Sequence, residues 1–200
     1  MTVIKAKDLD IFPSSVSEIR GFIEKYHYSK SIKGVKISYC FKVMYKDKLV
    51  GAVLFGGMAT TAWKKFSDSE KKVIELRRLV LVDEAGRNSE SRVIGFCLRW
   101  IKKHNAQIEC VVSYADPQYN HSGIIYKASN FKHIGMSGKD KGYKDIETGK
   151  IYHSRALRTK YKGEYKPFVK KLRAKLENGI LEPINLPPKH CYVYKFKRGK

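Results

Sequence analysis

A carboxylate and several hydroxyl groups stand at the end of one apolar run and in the segment after it. Ser113 and Tyr114 lie at the end of the run 109–115, and Asp116 follows it directly. Ligands in open α/β sheets bind outside the carboxyl ends of strands. Asp116 is therefore placed to act as a general base or to orient one. Tyr126 follows shortly after, and a phenol with a pKa of about 10 can protonate a leaving thiolate. Both residues also fit simpler roles, with Asp116 capping a helix and Tyr126 packing in the core.

A turn rich in hydrogen-bond donors precedes a helix-like segment. Its side chains include Arg87, Asn88, Ser89, Ser91 and Arg92. Apolar residues recur at helical spacing over 93–103, which puts the turn at a helix N-terminus, where backbone N–H groups favour a phosphate. Ordinary capping explains the same residues, because the turn lacks the glycine-rich pattern of a phosphate-binding loop.

His27 and Tyr28 follow an apolar helix-like segment and are either part of a binding site or an aromatic cluster over the core. The six histidines and four cysteines show no spacing typical of zinc. The dispersed cysteines indicate small buried side chains and an intracellular protein.

The charge is strongly unbalanced, with 41 Lys or Arg against 19 Asp or Glu and a net charge of +22. Such an excess predicts a polyanionic partner, with nucleic acid favoured over an anionic membrane surface. In the basic C-terminal region, Tyr152, Arg155, Arg158 and Lys160 mix cations with aromatics, which suits phosphate neutralisation and base stacking. No run approaches the ~20 apolar residues of a membrane span, so no membrane partner is expected.

The order of apolar segments predicts a mixed sheet with helices on both faces. A helix is expected to open near Ser17. The segments that follow are a hairpin (37–45 and 49–58), a strand (73–82), a helix (93–103), a strand (109–115), a helix (123–130), a strand (131–136), a helix (168–176) and a strand (192–196). The Gly- and Lys-rich stretch 135–149 is the predicted boundary.

Several motifs carry a family resemblance. They are Glu75-Leu76-Arg77-Arg78-Leu79, the segment 87–95, Ser113-Tyr114-Ala115-Asp116, Ile125-Tyr126-Lys127-Ala128-Ser129 and His27-Tyr28-Ser29. Together they resemble the GNAT superfamily of N-acetyltransferases and, more narrowly, the Mom DNA-modification proteins of Mu-like bacteriophages, over about residues 20–160. The resemblance implies a GNAT-like α/β (α+β) catalytic domain over 1–160, with a mixed, mostly antiparallel sheet flanked by helices. It leaves 161–200 as a basic C-terminal extension that contacts nucleic acid.

The implied activity is conversion of adenine in double-stranded DNA to N6-carbamoylmethyladenine, which protects phage DNA from restriction in the cytoplasm of the bacterial host. The implied catalytic residues are Asp116, Tyr126, Tyr28, Arg78 and Ser113. The implied donor is acetyl-CoA or another acyl donor such as an aminoacyl-tRNA, bound by Arg87, Asn88, Ser89, Ser91 and Arg92. The nucleic-acid contacts are expected from Tyr114, Tyr152, Arg155, Arg158 and Lys160. An iron ion on His27, with Tyr28 and Asp116, and a homodimer are further expectations.

Two other functional hypotheses remain open. One is a GNAT acetyltransferase that acts on a protein or a small amine and carries a nucleic-acid-binding tail. The other is a DNA- or RNA-binding regulator without catalysis. An acetyl transfer would form an amide, whereas a carbamoylmethyl group is joined through a methylene and needs an additional nitrogen source, so the donor is also open.

Overall fold

The computed structural model describes residues 3–59 and 61–197 and divides the chain into two compact units. The first unit comprises Met1–Gly135 and His190–Lys200, and the second is Met136–Lys189. This division differs from the predicted domains 1–160 and 161–200. The physical reason is that the last strand of the chain pairs inside the sheet of the first unit.

The first unit is built on a seven-stranded sheet of order β1-β2-β3-β4-β5-β12-β6. Its strands are β1 (Asp10–Pro13), β2 (Ile37–Tyr45), β3 (Lys48–Gly56), β4 (Val73–Leu81), β5 (Cys110–Ala115), β6 (Lys132–Met136) and β12 (His190–Lys195). The pairs β1–β2, β2–β3, β3–β4 and β5–β12 are antiparallel, and β4–β5 is parallel. The predicted mixed, mostly antiparallel sheet is thereby confirmed.

Two amphipathic helices cover opposite faces of this sheet. The helix α1 (Val16–Tyr26) packs with Leu54 of β3, and α2 (Ser89–His104) packs with Phe55, its neighbour in sequence. Because successive side chains of a strand point to opposite faces, the two helices lie on different sides. A third, shorter helix, α3 (Ile124–Ala128), follows β5.

The start of α1 differs slightly from the expectation at Ser17. Ser15 is the N-cap, and its hydroxyl accepts a hydrogen bond from the N–H of Glu18, whose carboxylate bonds back to the N–H of Ser15. This capping box satisfies two N–H groups at the helix end at once.

The second unit has a three-stranded sheet of order β11-β7-β8 and a separate two-stranded hairpin. Its elements are β7 (Asp140–Asp145), β8 (Ile151–His153), β9 (Lys160–Tyr161), β10 (Glu164–Tyr165), α4 (Pro167–Glu177) and β11 (Leu181–Leu186), with a 3-10 helix at Ser154–Arg158. Leu157, Leu172 and Leu181 form its small core.

Candidate active site

A cleft opens in the first unit where the two parallel strands stop pairing. Residues 73–75 of β4 pair with residues 110–112 of β5, whereas β4 continues to Leu81 and β5 to Ala115. A cleft of about 430 Å³ is lined by both of these strand ends. Its walls also include α3 and the residues that follow α1.

Tyr126 of α3 lines this cleft and hydrogen-bonds with Ser113, which is fully buried on β5. Burial raises the pKa of Tyr126, and its hydrogen bond with Ser113 acts in the opposite direction. The hydroxyl of Ser113 itself donates to the carbonyl of Leu76 at 3.4 Å. The structure thus brings together two residues that the sequence predicted to be catalytic. A phenol that stays neutral can supply a proton to a leaving group in the cleft.

The C-terminal strand positions α3. Tyr192 of β12 is buried, and its hydroxyl donates a 2.7 Å hydrogen bond to the carbonyl of Ser122. Gly123, the next residue, has a φ of +79°, and a Cβ atom there would overlap the ring of Tyr192. The rings of Tyr192 and Tyr126 lie 5.3 Å apart between centroids. A glycine is therefore required at the start of α3, where the C-terminal strand supports the helix that carries Tyr126.

Asp116 is buried directly after β5, with 4% of its surface exposed. Its Oδ1 accepts a hydrogen bond from the N–H of Gln118 at 3.1 Å, and its carbonyl accepts from the N–H groups of Tyr119 and His121. The capping role considered from the sequence is therefore present, and Asp116 shapes the turn 116–122. Its catalytic role stays a prediction.

Three aromatic side chains, here called the aromatic rim, meet beside the cleft. Tyr28 and Tyr119 lie 4.2 Å apart between ring centroids, and His121 approaches Tyr28 edge-on at 5.3 Å. Tyr28 and His121 line the cleft. The side chain of Tyr28 is 41% exposed and that of Tyr119 is 47% exposed. Burial raises the pKa of Tyr28 to about 12. Tyr119 and His121 were not predicted from the sequence. They could have been found as two aromatic residues in the turn that follows β5 and Asp116.

His27 lies buried beneath the aromatic rim, with its ring 4.2 Å from that of Tyr28. Its Nδ1 accepts a hydrogen bond from the N–H of Ser29, so the neutral ring carries its proton on Nε2. Burial lowers the pKa of His27 to about 4, and the nearby charges of Arg78 and His121 add to the effect. The ring is therefore neutral at physiological pH.

Arg78 is held by backbone oxygens. Its Nε donates to the carbonyl of Ser31 at 3.2 Å, and its Nη1 donates to that of Arg77 at 2.7 Å. Burial lowers the pKa of Arg78, and Tyr28 opposes this shift. These contacts join β4 to the segment after α1, so Arg78 supports the aromatic rim.

The predicted iron site is not supported. Within residues 3–59 and 61–197, no group of three or more His, Cys, Asp or Glu side chains is arranged to hold a metal ion. His27 already uses Nδ1 to accept from the backbone of Ser29.

The N-terminus of α2 forms the other end of the cleft, since Glu90 in its first turn is part of the lining. Asn88 precedes the helix with a φ of +67°, and its carbonyl accepts a hydrogen bond from the hydroxyl of Ser91. Ser89 is fully buried, and in the described part of the chain its Oγ has no hydrogen-bond partner. Arg87 and Arg92 are exposed. An unpartnered hydroxyl beside the N–H groups of a helix N-terminus fits an anionic group such as a pyrophosphate.

Glu75 is a residue whose role the sequence reasoning missed. It lies on β4 where pairing with β5 ends, and its carboxylate bonds to Nη1 of Arg77 at 2.6 Å. Both side chains are largely buried. The charge of Glu75 contributes to the raised pKa values of Tyr126 and Tyr114, so it lies within electrostatic range of the cleft.

The predicted nucleic-acid contacts are divided between the two units. Tyr114 packs against a buried cluster that contains Val112 and Cys191, and burial raises its pKa. Tyr152, Arg155, Arg158 and Lys160 belong to the second unit.

Comparison with known proteins gives matches over most of the chain. The model of the Mom protein family matches residues 9–200. Methylcarbamoylase mom of Escherichia phage Mu is 28% identical over 184 residues, which cover 90% of this chain and 73% of that protein.

Solved structures show a similar fold at low sequence identity. An acetyltransferase of Bacillus subtilis in complex with CoA matches with a TM-score of 0.51 and 10% identity, covering 94% of this chain and 98% of that one. The ribosomal-protein-S5-alanine acetyltransferase of Vibrio fischeri has the same TM-score and identity and covers 94% and 93%. The expected GNAT-like fold is confirmed.

Proposed function

The chain belongs to the Mom protein family, and we propose that it is a DNA-modification transferase that converts adenine in duplex DNA to N6-carbamoylmethyladenine. The observation that carries the proposal is one cleft with the neutral Tyr126 in its wall and two exposed tyrosines, Tyr28 and Tyr119, whose rings pack against each other beside it. The phage Mu relative is named a methylcarbamoylase, which supports transfer of a group of the same atomic composition. In a phage, such a modification protects DNA from host restriction.

The aromatic rim is the proposed binding place for the base. Adenine N6 is paired inside a duplex, so the base has to flip out, which costs a few kcal/mol. Stacking on an exposed aromatic ring contributes roughly 1–3 kcal/mol per base, and Tyr28 with Tyr119 offers that surface. Asp116 lies at the end of β5, beside the turn that carries Tyr119 and His121. In the proposal its carboxylate accepts the N6 proton or holds the edge of the base.

The donor is proposed to bind at the N-terminus of α2. The residues that would hold its phosphates are Arg87, Asn88, Ser89, Ser91 and Arg92, and an acyl-CoA or another acyl donor such as an aminoacyl-tRNA would supply the carbon transferred to N6. For the carbamoylmethyl product, adenine N6 bonds to a methylene carbon of the donor that already carries the carbamoyl group, while the bond from that carbon to the leaving group breaks. Asp116 takes the N6 proton, and Tyr126, held by Ser113, protonates the leaving group. An acetyl group alone does not account for the product, because carbamoylmethyl is attached through a methylene and carries a further nitrogen.

Two expectations about the surroundings of the protein stay predictions, namely the homodimer and the cytoplasm of the bacterial host. Among the residues that the structure describes, no helix is long and apolar enough to span a membrane.

Mass spectrometry of nucleosides from plasmid DNA co-expressed with the protein tests the proposal. The wild type is expected to yield a deoxyadenosine heavier by one carbamoylmethyl group. Tyr126→Phe and Asp116→Asn are each expected to lower its amount by about a hundredfold or more, because a positioned acid or base contributes about that factor. Tyr39→Phe is the matched control, since Tyr39 bonds to Asn105 and is not part of the cleft lining.

Each other outcome contradicts a named part of the proposal. Unmodified deoxyadenosine from the wild type would contradict the DNA activity. An acetylated protein or amine instead of modified DNA would favour the ordinary acetyltransferase. Full modification by both folded variants would refute the roles of Asp116 and Tyr126.

A further inference from the structure

The second unit contains many Lys and Arg side chains that form no ion pair with the carboxylates of that unit. Residues 155–173 contain eight Lys or Arg and a single acidic residue, Glu164. The eight are Arg155, Arg158, Lys160, Lys162, Lys166, Lys170, Lys171 and Arg173. In the described part of this unit, the ion pairs join Lys175 to Asp145 and Glu147, and His153 to Asp140. None of them includes any of the eight cations, so the positive charge of this segment is not neutralised internally.

The hairpin β9–β10 stands at the centre of this segment. Its two-residue turn, Lys162-Gly163, has φ values of +48° and +84°, which is the backbone of a tight type I′ hairpin. The register pairs Tyr161 with Glu164 and Lys160 with Tyr165. The ring of Tyr161 therefore points to one face of the hairpin and that of Tyr165 to the other, and 65% of Tyr161 is exposed.

Each of these tyrosines holds two cations over its ring. Lys162 and Lys166 lie 5.8 Å and 5.9 Å from the ring centroid of Tyr161. Lys160 and Arg173 lie 4.9 Å and 4.7 Å from that of Tyr165. Because a cation over a ring keeps its charge, this arrangement presents positive charge and an aromatic surface together.

The flanking cations rest on folded structure. The 3-10 helix Ser154–Arg158 and α4 pack through Leu157 and Leu172. Arg155 and Arg158 are exposed on the first of these helices, and Lys170 and Lys171 are exposed on α4. The apolar face of α4 is used in this core, which leaves no continuous apolar face of the kind that inserts into a membrane surface.

We propose that residues 155–173, here called the basic hairpin surface, bind the backbone of duplex DNA, with Tyr161 contacting the DNA in a groove. The inference rests on the proposed function, because it names the surface that holds the substrate DNA. It goes beyond the predicted contacts Tyr152, Arg155, Arg158 and Lys160 by centring the interface on the hairpin and on Tyr161.

The experiment measures binding of the full-length protein to a short labelled DNA duplex over a series of salt concentrations. For B-DNA, the slope of log K against log salt changes by about 0.9 for each phosphate that is neutralised. The triple variant Lys160→Gln, Lys162→Gln and Lys166→Gln is expected to make the slope shallower by about 2.7. The control variant Lys5→Gln, Lys48→Gln and Lys103→Gln removes the same charge from exposed residues of the first unit and is expected to leave the slope unchanged.

Tyr161 is tested separately from the charges. Tyr161→Ala is expected to weaken binding without altering the salt slope, because it removes an aromatic contact and no cation. Tyr161→Phe is expected to bind like the wild type.

An unchanged slope in the hairpin triple variant, or an equal change in the control, would overturn the proposal. Tighter binding to RNA or to anionic lipid vesicles than to duplex DNA would overturn the choice of DNA. The binding assay measures association alone, so its result is separate from that of the modification assay. The wild type could leave plasmid adenine unmodified while the triple variant still shows a shallower salt dependence of DNA binding. In that case the DNA-modification proposal is wrong and the proposed binding surface is supported.

Discussion

Replacing His27 with asparagine is expected to flatten the pH dependence of stability. Burial and the charge of Arg78 lower the pKa of His27 from 6.5 to about 4. As the pH falls, the unfolded chain therefore takes up a proton on His27 before the folded chain does. The contribution of His27 to the free energy of unfolding is complete above pH 6.5 and declines as the pH falls towards 4. Since one pKa unit corresponds to about 1.4 kcal/mol, the decline due to this residue reaches about 3 kcal/mol. The amide oxygen of asparagine can still accept the N–H of Ser29 and does not titrate.

Urea unfolding followed by circular dichroism, between about pH 7 and pH 4.5, measures this effect. The wild-type free energy of unfolding is expected to fall more steeply with decreasing pH than that of His27→Asn. His104→Asn, at an exposed histidine at the end of α2, serves as the matched control. Parallel curves for the wild type and His27→Asn would refute the reasoning, as would an NMR titration that places the pKa of the His27 ring at 6.5.

Three further perturbations test other parts of the structure. Gly123→Ala is expected to lower the free energy of unfolding by roughly 2–4 kcal/mol, because it adds a Cβ at positive φ against the ring of Tyr192; an unchanged denaturation midpoint would contradict that contact. Tyr119→Ala is expected to keep the wild-type melting temperature, because the residue is 47% exposed, and to lose DNA modification; retained modification would argue against base stacking there. Asp145→Ala is expected to destabilise the second unit more than Asp145→Asn, because asparagine can still accept the N–H groups of Glu147 and Thr148; hydrogen exchange of residues 136–189 would show equal protection in the two variants if this is wrong.

Local pattern was enough to predict most elements of the first unit. The helix α2 has apolar residues at a period that matches a helix, and β2 and β3 are long apolar runs joined by a short polar turn. Two local boundaries differ from the expectation: α1 begins after Ser15 and not near Ser17, and α2 begins at Ser89, four residues before the predicted start. Glu18 stands three residues after Ser15, which is the spacing of a capping box.

The parts that could not be predicted depend on contacts between distant segments. An aromatic strand was expected near the C-terminus, but its place beside β5 depends on pairing across about 80 residues of chain, as between Val193 and Val112. The support of Gly123 by Tyr192 follows from that pairing. The contact between the rings of Tyr119 and Tyr28 likewise joins a turn after β5 to the segment after α1. Ser113 and Tyr126 were selected as separate candidates, and only the fold shows that they share a hydrogen bond.

The ends of the second unit lie side by side. The N–H of Ser137 donates to the carbonyl of Lys189 at 2.7 Å, and the N–H of Lys189 donates to the hydroxyl of Ser137 at 2.9 Å. An insertion whose entry and exit are adjacent can change in length or content without separating the strands on either side of it, β6 and β12, which are neighbours in the sheet. Evolution can therefore alter the basic hairpin surface while the seven-stranded sheet stays the same, and the segment could be exchanged between relatives by protein engineering.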